Sequence, residues 1–320
     1  MPNLRVTDTS PKRRRGAKQS GFSLIEVLVA TTILALIVAM LGTIVGTVGS
    51  YFRATSGRSE CALSARAIAD YIQTDLKAAL LPLYPDDTSN RSLQFVLNPA
   101  AFTESYKNGD ALFWQAPVAN DTTYGDIAEV GYFVKWLTGT SSPVPVLCRF
   151  FVEPAAPSAT SYYNIYKSPD NWLNQTTVDA VAPATSDRYF AGLFSENVVA
   201  IWFRCLDGQG SVYKGRAFDS RNGAQDSSGK LQRLPSAVQV SFVVLDSRTA
   251  ARLTAAIMTD LITLSGSVAD EIDNNKDGSS DATLSPAEQF VSEAMAKPRL
   301  KSIAHGLKAH TTAVSLINAR

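Results

Sequence analysis

Gly21, Phe22 and Glu26 have the types and spacing to do chemistry together. Hydrolysis of the peptide bond after Gly21 would leave Phe22 with a free amine. Glu26 follows it by four residues, one helical turn on. A positive amine on an adjacent, axially shifted helix would compensate that carboxylate. Compensation is needed, because Val27 to Phe52 carry no charge at all. An ionised group within hydrocarbon costs ~2.5–3.5 kcal/mol on insertion scales. The plainer alternative is an uncleaved single-pass anchor that keeps Glu26 at the membrane interface, where a carboxylate costs little.

A second candidate lies far along the chain. Asp273, Asn275, Asp277 and Asp281, with Gly278 between the last two, fit the first half of a calcium loop, in which oxygens at alternate positions wrap the ion. The twelfth position, where a bidentate Glu belongs, is Leu284, and Glu288 lies four residues later. The competing reading is a solvated Asn/Asp/Gly turn. Apart from this calcium, no cofactor is expected.

No enzyme is indicated. The two histidines, His305 and His310, are expected on the surface of the tail, without a G-x-S-x-G elbow, a phosphate-binding glycine loop or an H-E-x-x-H helix. The acidic pairs Asp86–Asp87 and Asp270–Glu271 are read as solvated loop charges. Cys61, Cys148 and Cys205 are too few for a disulfide framework. Cys148 and Cys205 read either as two buried thiols or as a pair, and Cys61 as a free thiol on a helix.

The elements that must position these residues begin with charge. Residues 1–21 hold Arg5, Lys12, Arg13, Arg14, Arg15 and Lys18 against Asp8 alone. Such a cluster belongs on the cytoplasmic side of an apolar segment and sends the rest outward. The remainder holds 24 basic and 28 acidic residues, so no nucleic-acid surface is expected for the main body. The uncharged run exceeds the ~20 residues a spanning helix needs. No proline falls between Pro11 and Pro82, so one helix can run from Phe22 to about Leu81. Gly42, Gly46 and Gly49 notch and soften its first half. Ala65, Ile68, Ile72, Leu76, Ala79 and Leu80 form an apolar stripe on its second half, with Arg58, Arg66, Asp70, Gln73 and Lys77 on the other faces.

Gly21-Phe-Ser-Leu-Ile-Glu-Val-Leu-Val-Ala30 resembles, over ten positions, the class III signal of type IV prepilins and type II secretion pseudopilins. The resemblance implies cleavage between Gly21 and Phe22 by a prepilin peptidase, methylation of the new amine, and pairing of Glu26 with the amine of a neighbouring subunit. It also implies an inner-membrane precursor with a cytoplasmic N-terminus and a periplasmic head, later part of a periplasmic or surface filament. Its partners are the peptidase, other pilin or pseudopilin subunits and an inner-membrane assembly platform.

Beyond the helix, strands are predicted over 92–97, 111–115, 129–137, 144–152, 198–205 and 237–245, the third and fourth as a hairpin turned at Thr138–Pro143. Loops are predicted over 153–188, 207–232 and 265–286, and Ala313–Ile317 as an added edge strand. Glu129-Val-Gly-Tyr-Phe-Val134, Leu147-x-Arg149, Ser195–Phe203 and Leu234–Val240 resemble the J-type minor pseudopilins and the C member of Verru_Chthon cassettes. The expected fold is α+β and pilin-like: a long N-terminal helix, its hydrophobic half protruding, packed on an antiparallel sheet head with long loop insertions. The expected divisions are a leader at 1–21, an apolar helix at 22–52, an amphipathic helix at 53–81 and a β-rich head at 82–320. The function implied is that of a minor pseudopilin of a type II-like filament. A minor pilin of an adhesion, motility or DNA-uptake pilus shares the same helix, and a membrane-tethered envelope enzyme or receptor would keep its leader.

Overall fold

A computed structural model describes residues 23–81, 94–99, 102, 108–138, 142–154, 173, 178, 181–182, 190–213, 218–220, 234–271 and 284–318. The chain divides into two units, Met1–Ala54 and Thr55–Arg320, with the helix α1 (Leu24–Lys77) contributing to both. In the first unit the span Leu24–Gly49 has a mean hydropathy of 2.6, and none of it is buried. At ~1.5 Å per residue it outreaches a ~30 Å hydrocarbon core. Its hydroxyls are satisfied within the helix: Thr31, Thr32, Thr43 and Thr47 each donate to a carbonyl three or four residues back. That leaves the charge of Glu26 as the main polar feature of the segment.

In the second unit the apolar stripe of α1 becomes core. Ala65, Ile68, Ile72, Leu76 and Ala79 are buried, Leu80 is half-buried, and Cys61 and Ala69 extend the face. The helix ends at Lys77, before Pro82. Two antiparallel sheets share this core. The larger has the order β1 (Phe95–Leu97), β2 (Ala111–Ala116), β3 (Ala128–Leu137), β4 (Val144–Val152), β5 (Leu193–Glu196). The smaller has the order β6 (Val198–Leu206), β7 (Ala237–Leu245), β8 (Leu307–Ser315). Alternate residues of each strand face α1, among them Trp114, Tyr132, Leu147, Phe203 and Phe242. The β3–β4 hairpin pairs Leu137 with Val144, as expected.

The expected α+β architecture is found, and several finer expectations need correction. The antiparallel sheet is divided in two: β5 is the last strand of the first, and Asn197, in the left-handed region at φ 65°, lies at the turn into β6. The loop placed at 265–286 is partly helix. Helices α2 (Ser247–Ala250), α3 (Ala255–Glu271), α4 (Pro286–Ala296) and α5 (Lys301–Ala304) follow β7, and their apolar side chains cover the second face of the smaller sheet around Trp202. Asp270 and Glu271 therefore close a helix rather than sit in a loop. The tail strand starts six residues earlier than expected, at Leu307, and stacks half-buried His310 5.1 Å from the Phe242 ring. His310 is thus half-buried rather than fully exposed, and that burial pulls its imidazole below its usual range, whereas His305 is exposed.

The three thiols are buried and separate. Cys61 and Cys205 belong to the helix-side core, and Cys148 to the core on the far face of the larger sheet. Burial raises Cys61 to about 11 and Cys148 to about 12, which makes them poor nucleophiles.

Asn108, Gly109 and Asp110 join the two sheets. Asn108 N–H donates to the Val134 carbonyl at 2.8 Å, Asp110 N–H to the Ile201 carbonyl at 2.7 Å, and Phe203 N–H to Asp110 Oδ2 at 2.9 Å. Gly109 has φ 89°, and a Cβ there would lie 2.1 Å from the Ile201 oxygen. Gly109→Ala should therefore destabilise the head by more than the ~1 kcal/mol of a simple left-handed penalty. A thermal melt would show it, and an unchanged midpoint would refute it.

Candidate functional site

The N-terminal residues form a capping box. Ser23 N–H donates to Glu26 Oε2 at 3.0 Å, and Glu26 N–H donates to Ser23 Oγ at 3.2 Å. This reciprocal pair satisfies two of the donors that a helix start leaves open. It also places a carboxylate at the positive end of the helix dipole. Glu26 is exposed, as are the apolar side chains around it. The sequence signal for this cap is S-x-x-E before an apolar run, at Ser23 and Glu26. Gly21 and Phe22, between which cleavage is expected, lie outside the described residues.

These features invite comparison with known proteins. Residues 16–42 match the prokaryotic N-terminal methylation motif. The chain is type IV prepilin-like. No curated protein and no solved structure gives a match to it. The matched residues contain Gly21 and Phe22, the capping box and most of the apolar span. A prepilin-like motif implies processing by a prepilin peptidase and assembly with other pilin subunits, and it marks a structural subunit. The apolar span suits a single-pass membrane anchor.

Farther along α1, a buried carboxylate fastens the helix to the larger sheet of this prepilin-like chain. Asp75 accepts from Tyr132 Oη at 2.6 Å, from Arg149 Nε at 2.8 Å and from Arg149 Nη2 at 3.2 Å. The Asp75 carbonyl takes Trp114 Nε1 at 3.2 Å. The guanidinium also lies 4.2 Å from the Phe151 ring centre. Burial, and then the Asp75 carboxylate, push the Tyr132 phenol far above its ordinary range, so it remains a donor. Tyr132 and Arg149 lie in the stretches of J-type resemblance, whereas Asp75 is not among the residues expected to matter. The signal was available: Asp75 stands three residues after Ile72 and four before Ala79, on the buried face.

The calcium residues Asp273, Asn275, Asp277 and Asp281 lie outside the described residues, as do Asp86 and Asp87. Among the described residues no cluster of three or more His, Cys, Asp or Glu could hold a metal ion. Glu288 is committed elsewhere: it caps α4, accepting from Ser285 N–H at 3.0 Å and Ser285 Oγ at 2.8 Å.

Proposed function

We propose that this chain is a minor pseudopilin-like subunit of a type II secretion-like envelope filament. The leader is cut after Gly21, Phe22 becomes the methylated N-terminus, and Glu26 pairs with the amine of a neighbouring subunit. The precursor sits in the inner membrane with its head outside, and the assembly platform draws it into the filament beside sister subunits. The observation that carries this reading is the methylation motif at residues 16–42, opening an apolar span with Glu26 as its sole charge. Tyr132 and Arg149, two residues of the J-type resemblance, meet on Asp75, which supports the pseudopilin form of the reading.

Mass spectrometry of the protein from its own cells tests the processing step. A mature chain beginning at methylated Phe22 is expected, and an intact leader in cells with active prepilin peptidase would refute it. Deletion separates secretion from the pilus alternative: lost export supports the first, lost adhesion, motility or DNA uptake the second.

The capping box allows the charge of Glu26 to be tested apart from its helix. Glu26→Gln keeps an oxygen for Ser23 N–H, so membrane insertion should persist while incorporation into filaments falls at least tenfold. Ser23→Ala should weaken the helix start by about 1 kcal/mol and leave incorporation largely intact. Sedimentation of sheared filaments with immunodetection reads both. Equal incorporation of Glu26→Gln and the parent chain would show that the charge is not the assembly determinant.

A further inference from the structure

The sheet edges of the head are finished differently. β1 is three residues long and is met on its far side by Asp219 at Val96. β5 is four residues long and joins β4 through a register shift. β6 is met on its far side by Gly109 and by Val212. Shortness, bulges and covering segments are the usual ways to keep an edge from pairing with another chain. β8 has none of them among the described residues. It is nine residues long, contains no proline and runs in unbroken register with β7 from Leu307 to Ser315.

The ends of the ladder establish which backbone groups face outward. Asp246 N–H donates to the Gly306 carbonyl, and Leu316 N–H donates to the Ser236 carbonyl. In an antiparallel pair, alternate residues direct both N–H and C=O to the same neighbour. The even residues of β8 therefore bond to β7, while Ala309, Thr311, Ala313 and Ser315 turn their amides and carbonyls away. No backbone partner for those four occurs among the described residues. Ala313 and Ser315 are exposed, and Lys308 is the sole formal charge on the strand. Gln73 Nε2 donates to Thr312 Oγ1 at 3.0 Å, which sets this edge beside the amphipathic half of α1.

We propose that the outer edge of β8 receives an extended strand from a neighbouring filament subunit, which lengthens the β6-β7-β8 sheet through main-chain hydrogen bonds. The proposal rests on the filament reading above, in which sister subunits are the chains at hand to supply the strand. Binding of this kind draws affinity from the backbone and selectivity from alternate side chains. Here those side chains are small, so the partner strand approaches closely. It is uncharged, or carries an acid opposite Lys308.

Cysteine cross-linking in the full-length chain, in cells that make the whole filament system, tests the edge. The three native thiols are buried, so an added one is the reactive one. Ser315→Cys reports on the edge, and Leu63→Cys, on the exposed side of α1, reports on helix-mediated assembly. Both are expected to cross-link to sister subunits. Adding Ala313→Pro removes one outward N–H without touching the β7 ladder. It should reduce the Ser315→Cys product at least tenfold and spare the Leu63→Cys product, whereas Ala313→Ser should spare both. If the proline variant does not fold, Ala313→Asp, which puts a charge on the edge, carries the same expectation. A Leu63→Cys product without a Ser315→Cys product, or an edge product indifferent to both blocking substitutions, overturns the edge proposal and leaves the filament reading standing. Loss of both products in the unblocked chain overturns the filament reading, and the edge proposal with it.

Discussion

Replacing Asp75 by alanine should lower the unfolding free energy of the head by about 3 kcal/mol. Removing one partner of a buried ion pair costs ~3–5 kcal/mol, because the other charge is left without compensation. The Arg149 side chain is 26 % exposed, so water reaches it and the loss falls at the low end of that range. Tyr132 adds to the cost, since its fully buried hydroxyl would lose the acceptor at 2.6 Å. Conservative substitutions separate the parts. Arg149→Lys removes the two-pronged contact and keeps a charge; Tyr132→Phe removes one neutral donor and should cost ~1 kcal/mol. For a domain of this size the Asp75→Ala melt should fall by roughly 6–12 °C. Near-UV circular dichroism of the full chain in detergent measures it. A shift under 2 °C would mean that the pair is ornamental.

The position of this pair explains why a pilin-like head would tolerate its desolvation cost. Asp75 lies in the last turn of α1, and Arg149 and Tyr132 lie on adjacent central strands. Apolar contacts alone fix the helix face loosely, because neighbouring registers bury nearly the same surface. A two-pronged carboxylate–guanidinium contact has one geometry. It therefore fixes the rotation and axial position of the helix on the sheet, the quantity that matters if the same helix is gripped by neighbours elsewhere.

What could be read from the residues divides along physical lines. The strands at 144–152 and 237–245 were legible to the residue, because β-branched and aromatic runs bounded by turn residues have few other uses. The apolar stripe from Ala65 to Ala79 was equally plain. α3 was partly hidden by its outward Thr, Ser and Gly residues, which read as loop although Leu261, Leu264 and Val268 hold the helical spacing inward. β8 begins Leu-Lys-Ala-His, a stretch with little strand preference of its own, and pairing with β7 decides it. Asp75 is hard to single out from sequence because acids are rarely buried, although it falls on the buried face of α1. Of the candidate assembly residues, the identity and spacing of Glu26 are plain in the sequence, as is the S-x-x-E signal of its cap, and the structure adds the distances.

Glu129 carries the second large expectation, a stability that falls as pH rises. Its carboxyl is fully buried in β3, and neither oxygen has a hydrogen-bond partner among the described residues. It stands opposite Gln115 of β2, whose Nε2 is also without a partner and whose Oε1 takes the Gln94 N–H at 2.5 Å. On the other side its cross-strand neighbour is Val152. Burial alone raises the Glu129 carboxyl well above the usual carboxylate range, with no nearby charge contributing. Above the unfolded value of ~4.3 the unfolded chain releases a proton that the folded chain retains. The stabilising contribution of this group is therefore complete below that pH and is lost as pH rises towards the folded value, at up to about 1.4 kcal/mol per unit. Glu129→Gln preserves the shape, offers Gln115 Nε2 an acceptor and removes the ionisation. The two proteins should melt together near pH 4 and separate progressively above it, the glutamine variant being the more stable. Melts from pH 4 to 8 decide the matter: parallel curves would mean that Glu129 finds a compensating partner when it ionises, whereas a widening gap would identify it as the buried acid that limits the head at neutral pH.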